Sequence, residues 1–164
     1  MSREVVVLSA VRSAIGAFNG SLSSMEPSEL GGIVMKEAVA RSGVNPQDIN
    51  YVTVGNTIPT DSRYAYVARV ASIQAGLPME SVAMSLNRLC SSGLQAIVTT
   101  SQAIMLNDCD YGVGGGVEVM SRGMYGSPAM RFNGKCILLI TRQLPFFSEI
   151  FRGHAHVSNA KWIG

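Results

Sequence analysis

An α/β fold with a mostly parallel sheet and helices on its faces is predicted by three observations. Strand-like and helix-like stretches alternate along the chain. The strand-like stretches are short apolar runs with no polar alternation, the pattern of strands covered on both faces. Seventeen glycines accompany a charged content of only 15%, which favours close packing of buried elements. A chain of 164 residues is long enough for one domain with a sizeable core. Crossovers between parallel strands run right-handed.

Each element has its own signal. Val5-Val6-Val7-Leu8 is a continuous, largely β-branched run and reads as a first strand buried on both faces. Gly16 to Ser24 reads as loop. Pro27 suits the first turn of a helix, with Glu26 and Glu29 near its positive end. Leu30, Ile33, Val34 and Ala38 supply helical spacing, and Gly43 is the expected stop. Tyr51 to Val54 is the second strand. Arg63 to Ala75 is the second helix, with Val67, Val70, Ala71 and Gln74 at helical spacing, ended by Gly76 and Pro78. Val82 to Leu86 is the third strand. Ser91 to Leu106 is the third helix, with Leu94, Ile97, Val98, Ile104 and Met105 as its apolar stripe and no charged residue from Ser91 to Asn107. Tyr111 to Val119 is a glycine-rich fourth strand.

Composition removes several function classes. A net charge of +2 makes no case for nucleic acid or an anionic membrane surface. No apolar run reaches the ~18 residues of a membrane span, and Arg3 and Glu4 lead straight into a strand rather than into a leader. Cys90, Cys109 and Cys136 show neither zinc spacing nor a disulfide framework, so a reduced, cytoplasmic setting is expected, without metal or cofactor. Gly112 to Gly116 lacks the Gly-Lys-Ser/Thr ending of a phosphate loop and no helix directly follows it; close backbone packing is the better reading.

Cys90 is the candidate catalytic residue. It sits where the third strand meets the third helix, and a thiol at a helix N-terminus faces unpaired N–H groups and the positive end of the macrodipole. Both favour the thiolate, which is the nucleophile. Ser91, Ser92 and Gly93 are small enough to admit a substrate carbonyl, and their N–H groups are candidate oxyanion donors. The alternative for Cys90 is a buried structural cysteine. Cys109 lies between Asp108 and Asp110, which raise its pKa, and reads as inert. Glu118 reads as a hydrogen-bonded structural carboxylate. Arg63, Tyr64 and Tyr66 read either as solvated helix surface or, by the resemblance below, as a subunit border.

The run Asn87-Arg88-Leu89-Cys90-Ser91-Ser92-Gly93-Leu94-Gln95-Ala96-Ile97 closely resembles the active-site cysteine segment of thiolases, the acetyl-CoA acyltransferases. Val11-Arg12-Ser13-Ala14-Ile15-Gly16-Ala17-Phe18, Gly43-Val44-Asn45-Pro46-Gln47-Asp48-Ile49, Val54-Gly55-Asn56 and Gly115-Gly116-Val117-Glu118-Val119-Met120-Ser121 resemble further family segments, in family order and spacing, from Arg3 to about Arg131. The flavour is nearest to a bacterial β-ketothiolase of the acetoacetyl-CoA or 3-ketoacyl-CoA type. The resemblance implies a thiolase-like βαβαβ half, incomplete relative to the two-half subunit. It implies an acyl-CoA C-acyltransferase acting through an acyl-Cys90 intermediate. Coenzyme A thioesters would be its substrates, and the full-length form would be a homo-oligomer, dimer or tetramer. The alternatives are a non-catalytic thiolase-like fragment or interaction module, and a ketoacyl-synthase-like enzyme, which would need two downstream histidine motifs.

The resemblance divides the chain into a thiolase N-terminal half, residues 1–131, and an unmatched tail, residues 132–164. The tail holds four of the five Phe, the single Trp, both His, and four basic side chains (Lys135, Arg142, Arg152, Lys161) against Glu149 alone. A frame change, a mispredicted exon, an unrelated fusion or a divergent end would each produce such a shift. Within it, Ile137 to Ile140 is a possible short strand. By the resemblance, the activating histidine and the second, acid–base cysteine belong to the other half of the subunit. Neither has a matching position here, so this chain alone is expected to be inactive. His154, His156 and Cys136 match no family position.

Overall fold

The computed structural model describes residues 3–58, 60 and 62–123. The chain divides into two units, Met1–Met124 and Tyr125–Gly164, and all described residues belong to the first. The expected tail, with Cys136, the Ile137–Ile140 run, His154 and His156, lies outside them. Helix α1 (Pro27–Ser42) is followed by strand β1 (Tyr51–Gly55), helix α2 (Val67–Gln74), strand β2 (Val82–Leu86), helix α3 (Ser92–Met105) and strand β3 (Gly112–Gly116). The sheet order is β2-β1-β3 and both pairings are parallel. Tyr51 lies opposite Val82 and Gly112, and Gly55 opposite Leu86 and Gly116, so the three strands end in line at one edge.

Side chains alternate across the sheet and so decide what each face covers. Val52 and Val54 enter the main core with Met35 and Val39 of α1, Val67, Ala68 and Ala71 of α2, and Ile49 and Leu77 from the connections. Residues on the other face meet α3, so the described unit is a helix–sheet–helix sandwich. Pro27 occupies the first turn of α1, and Gly43 ends it at φ 73°, in the left-handed region that favours glycine. The buried stripe of α1 is rotated from the expected one: Ser28, Leu30, Gly32, Met35 and Val39 face inward and Ile33 is 55% exposed. Gly32 sets that face, because a Cβ there would lie 3.0 Å from Gln74 Cβ and 3.2 Å from the Ala71 carbonyl of α2. Helix α2 is shorter than expected, with Tyr64–Tyr66 forming a 3₁₀ turn ahead of it.

The expected first strand is a second correction. Val5 to Leu8 belongs to no strand, and Val7 is 79% exposed. A β-branched run becomes a strand only where a neighbour takes its backbone hydrogen bonds. Here a cleft of about 1270 Å³ separates this segment from β3.

Helix α3 turns its expected apolar stripe away from the sheet. It buries Ser92, Ala96, Thr100 and Ala103 against the sheet, not its large apolar residues. Leu94 is 67% exposed, and Ile97, Val98 and Met105 are exposed beside it. The expected glycine packing of β3 explains this. A Cβ on Gly114 would come within 2.8 Å of Ile97 Cα and 2.9 Å of the Ala96 carbonyl. The helix backbone therefore lies almost on the strand, and only small residues fit between them. Among the described residues, no helix is long and apolar enough to cross a membrane.

Candidate active site

Cys90 lies at the edge where the three strands end, one residue before the N-cap of α3. This is the end of a parallel sheet at which ligand sites form in α/β folds. Its thiol is free and exposed, which removes the reading of a buried structural cysteine. The turn that carries it is strained: Leu89 has φ 51°, a left-handed conformation that costs a branched L-residue about 1–2 kcal/mol.

Hydrogen bonds hold that turn at both ends of the Leu89 residue. The Asn87 Oδ1 accepts from Leu89 N at 2.9 Å. The Leu89 carbonyl accepts from the Ser92 hydroxyl at 2.7 Å, the Thr57 hydroxyl at 3.1 Å and Ser92 N at 3.1 Å. Ser92 Oγ also accepts from Arg88 N at 2.8 Å. Asn87 Nδ2 donates to the Thr57 carbonyl at 3.1 Å, tying the turn to the loop that leaves β1.

That loop is pinned by Glu118. Its carboxylate accepts from Thr57 N at 2.8 Å, Ile58 N at 3.0 Å and Asn56 Nδ2 at 3.2 Å, while Asn56 Nδ2 also donates to the Val117 carbonyl at 2.8 Å. The donors are backbone and amide groups, in keeping with a structural carboxylate. Glu118 is thus connected to the Cys90 turn through Thr57 and Asn87, two residues that sequence reasoning did not single out. Asn87 opens the quoted cysteine segment, so its signal lay within the resemblance, whereas Thr57 falls just beyond the Val54-Gly55-Asn56 segment.

Gly55 sets how close α3 comes. A Cβ there would lie 2.6 Å from the Ser92 carbonyl and 2.8 Å from Gly93 N. The first turn of α3 therefore rests on the end of β1.

Two expected oxyanion donors are already engaged. Ser91 N donates to the Arg88 carbonyl and Ser92 N to the Leu89 carbonyl, each at 3.1 Å, because the tight turn folds these groups back on itself. Cys109 is remote from the site. It is buried, and burial first, then Asp108 and Asp110, push its thiol pKa up, while Arg3 pulls it down. Arg63 pairs with Glu26 beside the start of α1, and Tyr66 is exposed. Among the described residues, no group of three or more His, Cys, Asp or Glu is placed to hold a metal ion.

A family model described as the thiolase N-terminal domain matches residues 5–142. The chain belongs to the thiolase family. It is 49% identical over 135 residues to the β-ketothiolase BktB of Cupriavidus necator, a match covering 82% of this chain and 34% of that protein. An acetyl-CoA acetyltransferase of the same organism is 41% identical over 128 residues, covering 78% of this chain and 32% of its own. Among solved structures, the Bacillus anthracis acetyl-CoA acetyltransferase superimposes with a TM-score of 0.78 at 38% identity, over 82% of this chain and 34% of that one. Human mitochondrial 3-ketoacyl-CoA thiolase, in complex with CoA, gives 0.76 at 33% identity, over 79% and 33%. The chain spans about a third of the length of the relatives it matches.

Proposed function

We propose that this chain carries the acyl-accepting nucleophile of a thiolase-type acyl-CoA C-acyltransferase, and that the nucleophile is Cys90. The observation that supports this most is the exposed thiol on the strained Leu89 turn, at the strand edge and against the first turn of α3. In the step proposed, the Cys90 thiolate attacks the thioester carbonyl of an acyl-CoA. The carbonyl carbon–sulfur bond to CoA breaks, CoA leaves as its thiolate, and a new thioester joins the acyl group to Cys90. This chain alone completes no cycle, because the activating histidine and the acid–base cysteine implied by the resemblance have no counterpart among its matched segments.

The test is residue-resolved mass spectrometry of the intact chain after exposure to acetyl-CoA and, separately, to iodoacetamide. Cys90 should be the first thiol labelled by either reagent. Labelling of Cys109 as fast as Cys90 would sink the assignment. A second reading, an interaction module, is favoured by the exposed Leu94, Ile97, Val98 and Met105 face of α3. Apolar patches of that kind mark association surfaces. Under it, the chain self-associates or binds a partner, and Cys90→Ala leaves that association unchanged.

A further inference from the structure

We propose that Glu118 is a positioning residue for Cys90: acting through Thr57, its carboxylate holds the Leu89 turn so that the thiol is presented to a thioester. This rests on the reading of Cys90 as the acyl acceptor, and the two can fail separately.

Sheet register brings the carboxylate to the right place. Gly55 lies opposite Leu86 and Gly116, so the loops leaving β1, β2 and β3 start level. The β1–β3 ladder runs one bond further, with Val117 N donating to the Gly55 carbonyl at 3.0 Å. Glu118 is the next residue, and its side chain bonds into the β1 loop. Oε2 accepts from Thr57 N at 2.8 Å, and Oε1 accepts from Ile58 N at 3.0 Å and Asn56 Nδ2 at 3.2 Å. Both oxygens are engaged, and every partner is an N–H donor. An ionised carboxylate suits that set because it only accepts. A glutamine of the same shape does not, since whichever way its amide is turned, an NH2 group faces a backbone N–H. Among the described residues Glu118 forms no ion pair, so these N–H groups are what its charge meets.

Thr57 carries the constraint to the cysteine turn. Its hydroxyl donates to the Leu89 carbonyl at 3.1 Å and lies 3.3 Å from Ser92 Oγ, and its carbonyl accepts from Asn87 Nδ2 at 3.1 Å. Asn87 Oδ1 accepts in turn from Leu89 N at 2.9 Å. Leu89 is therefore gripped at its N–H and at its carbonyl by groups that end on one residue of the β1 loop. Its other bonds, from Ser92 N and Ser92 Oγ, are local. A leucine at φ 51° keeps that conformation only where its surroundings over-determine it. Cys90 is the next residue, so the direction of its side chain follows the Leu89 backbone. Acyl transfer needs the sulfur close to the thioester carbonyl and aligned with it, and a misplacement of about 1 Å can cost roughly 10²-fold. Alkylation by a small, freely diffusing reagent needs little more than exposure.

The experiment treats the full chain with acetyl-CoA and, separately, with iodoacetamide, and follows each cysteine by residue-resolved mass spectrometry. The readout is the rate of Cys90 acetylation divided by the rate of Cys90 alkylation. Slow labelling of the buried Cys109 confirms that a variant is folded. Glu118→Gln should lower the ratio by about tenfold or more. Thr57→Val should lower it too, and Thr57→Ser, which keeps the hydroxyl, should hold it near the parent value. Combining Glu118→Gln with Thr57→Val should lower it no further than Glu118→Gln alone, because both act along one path. Should Glu118→Gln expose Cys109, Glu118→Asp, which keeps the charge but loses the reach, takes its place. Three results would overturn the proposal. The ratio in the folded Glu118 variant stays within about twofold of the parent. The ratio falls only in variants that also expose Cys109, which would make Glu118 a residue of stability alone. Or Thr57→Ser gives the same ratio as Thr57→Val. A parent chain whose Cys90 takes iodoacetamide but no acetyl group overturns the acyl-acceptor reading as well.

Discussion

Replacing Gly55 with Ala tests the contact that seats the Cys90 turn. The added methyl carbon would start 2.6 Å from the Ser92 carbonyl and 2.8 Å from Gly93 N. Both are backbone groups, one at the first residue of α3, so no rotamer change relieves the clash. Either the helix start lifts or β1 sinks. Overpacking a well-filled site costs about 1–3 kcal/mol, and a clash against fixed backbone belongs at the upper end. About 3 kcal/mol is a large part of the ~5–15 kcal/mol that holds an ordinary domain together. With a urea slope of ~1–3 kcal/mol/M, the midpoint should fall by about 1–3 M. Gly115→Ala is the matched control, since a Cβ at Gly115 meets nothing within 4 Å. Its removal of backbone freedom from the unfolded chain should be neutral or add up to about 1 kcal/mol. Urea unfolding gives both values, and amide exchange at Leu89 and Ser92 reports whether the turn has moved. If Gly55→Ala stayed within about 0.5 kcal/mol of the parent, α3 would not rest on β1 as described, and the account of how Cys90 is placed would fail.

Four further outcomes are expected. In a full-length version completed with the remaining thiolase length, Cys90→Ala and Cys90→Ser should abolish acyl transfer, and near-normal turnover by the Ala variant would refute the nucleophile. The chain by itself should show no CoA-dependent cleavage of acetoacetyl-CoA, since acid–base help alone is worth about 10²–10⁴-fold; turnover that depends on Cys90 would refute this. Cys109 has a raised folded-state pKa, so its neutral thiol stabilises the fold fully below the ordinary thiol pKa. That contribution is lost as pH rises from there through the raised value, because the unfolded chain releases its proton first. Thermal unfolding across this alkaline range should show the decline, and Cys109→Ala should flatten it. Size exclusion should find dimers or larger species, with Leu94→Asp or Val98→Asp shifting the chain toward monomer; a soluble monomer in the parent would show that the exposed face of α3 needs no cover.

Much of the fold was legible because its signals are local. Gly43 ends α1 where expected, as only glycine adopts φ 73° without penalty. Val82 to Leu86 forms a strand with the expected bounds. The misses at Val5 to Leu8 and on the buried face of α1 share one cause, namely that periodicity identifies an element but not its neighbour. Val5 to Leu8 has strand chemistry and no described partner. The large residues of α3 are a different case: they have helical spacing and are exposed, while the helix turns Ala96, Thr100 and Ala103 to the sheet. That choice was made by Gly112, Gly114 and Gly116, which no pattern within α3 encodes.

The same division runs through the site. Cys90 was legible from its place between a strand and a helix, and its exposure follows from the Leu89 turn. The expectation that Ser91 and Ser92 offer N–H groups to an oxyanion was not met, because the strained turn consumes both donors. The third expected donor, Gly93 N, is not among the groups that the turn consumes. The network from Glu118 through Thr57 and Asn87 to Leu89 joins strand ends far apart in sequence. Parallel pairing in register brings Gly55, Leu86 and Gly116 level, and so brings these three loops together. The sheet register thus determines where the thiol sits, and the short loops at its edge determine how it is held. The proposed nucleophile and the turn that holds it lie within this third of the thiolase length. By the resemblance, the groups that would activate the thiol lie outside it, which is why a chain with an exposed thiol is expected to turn over no substrate.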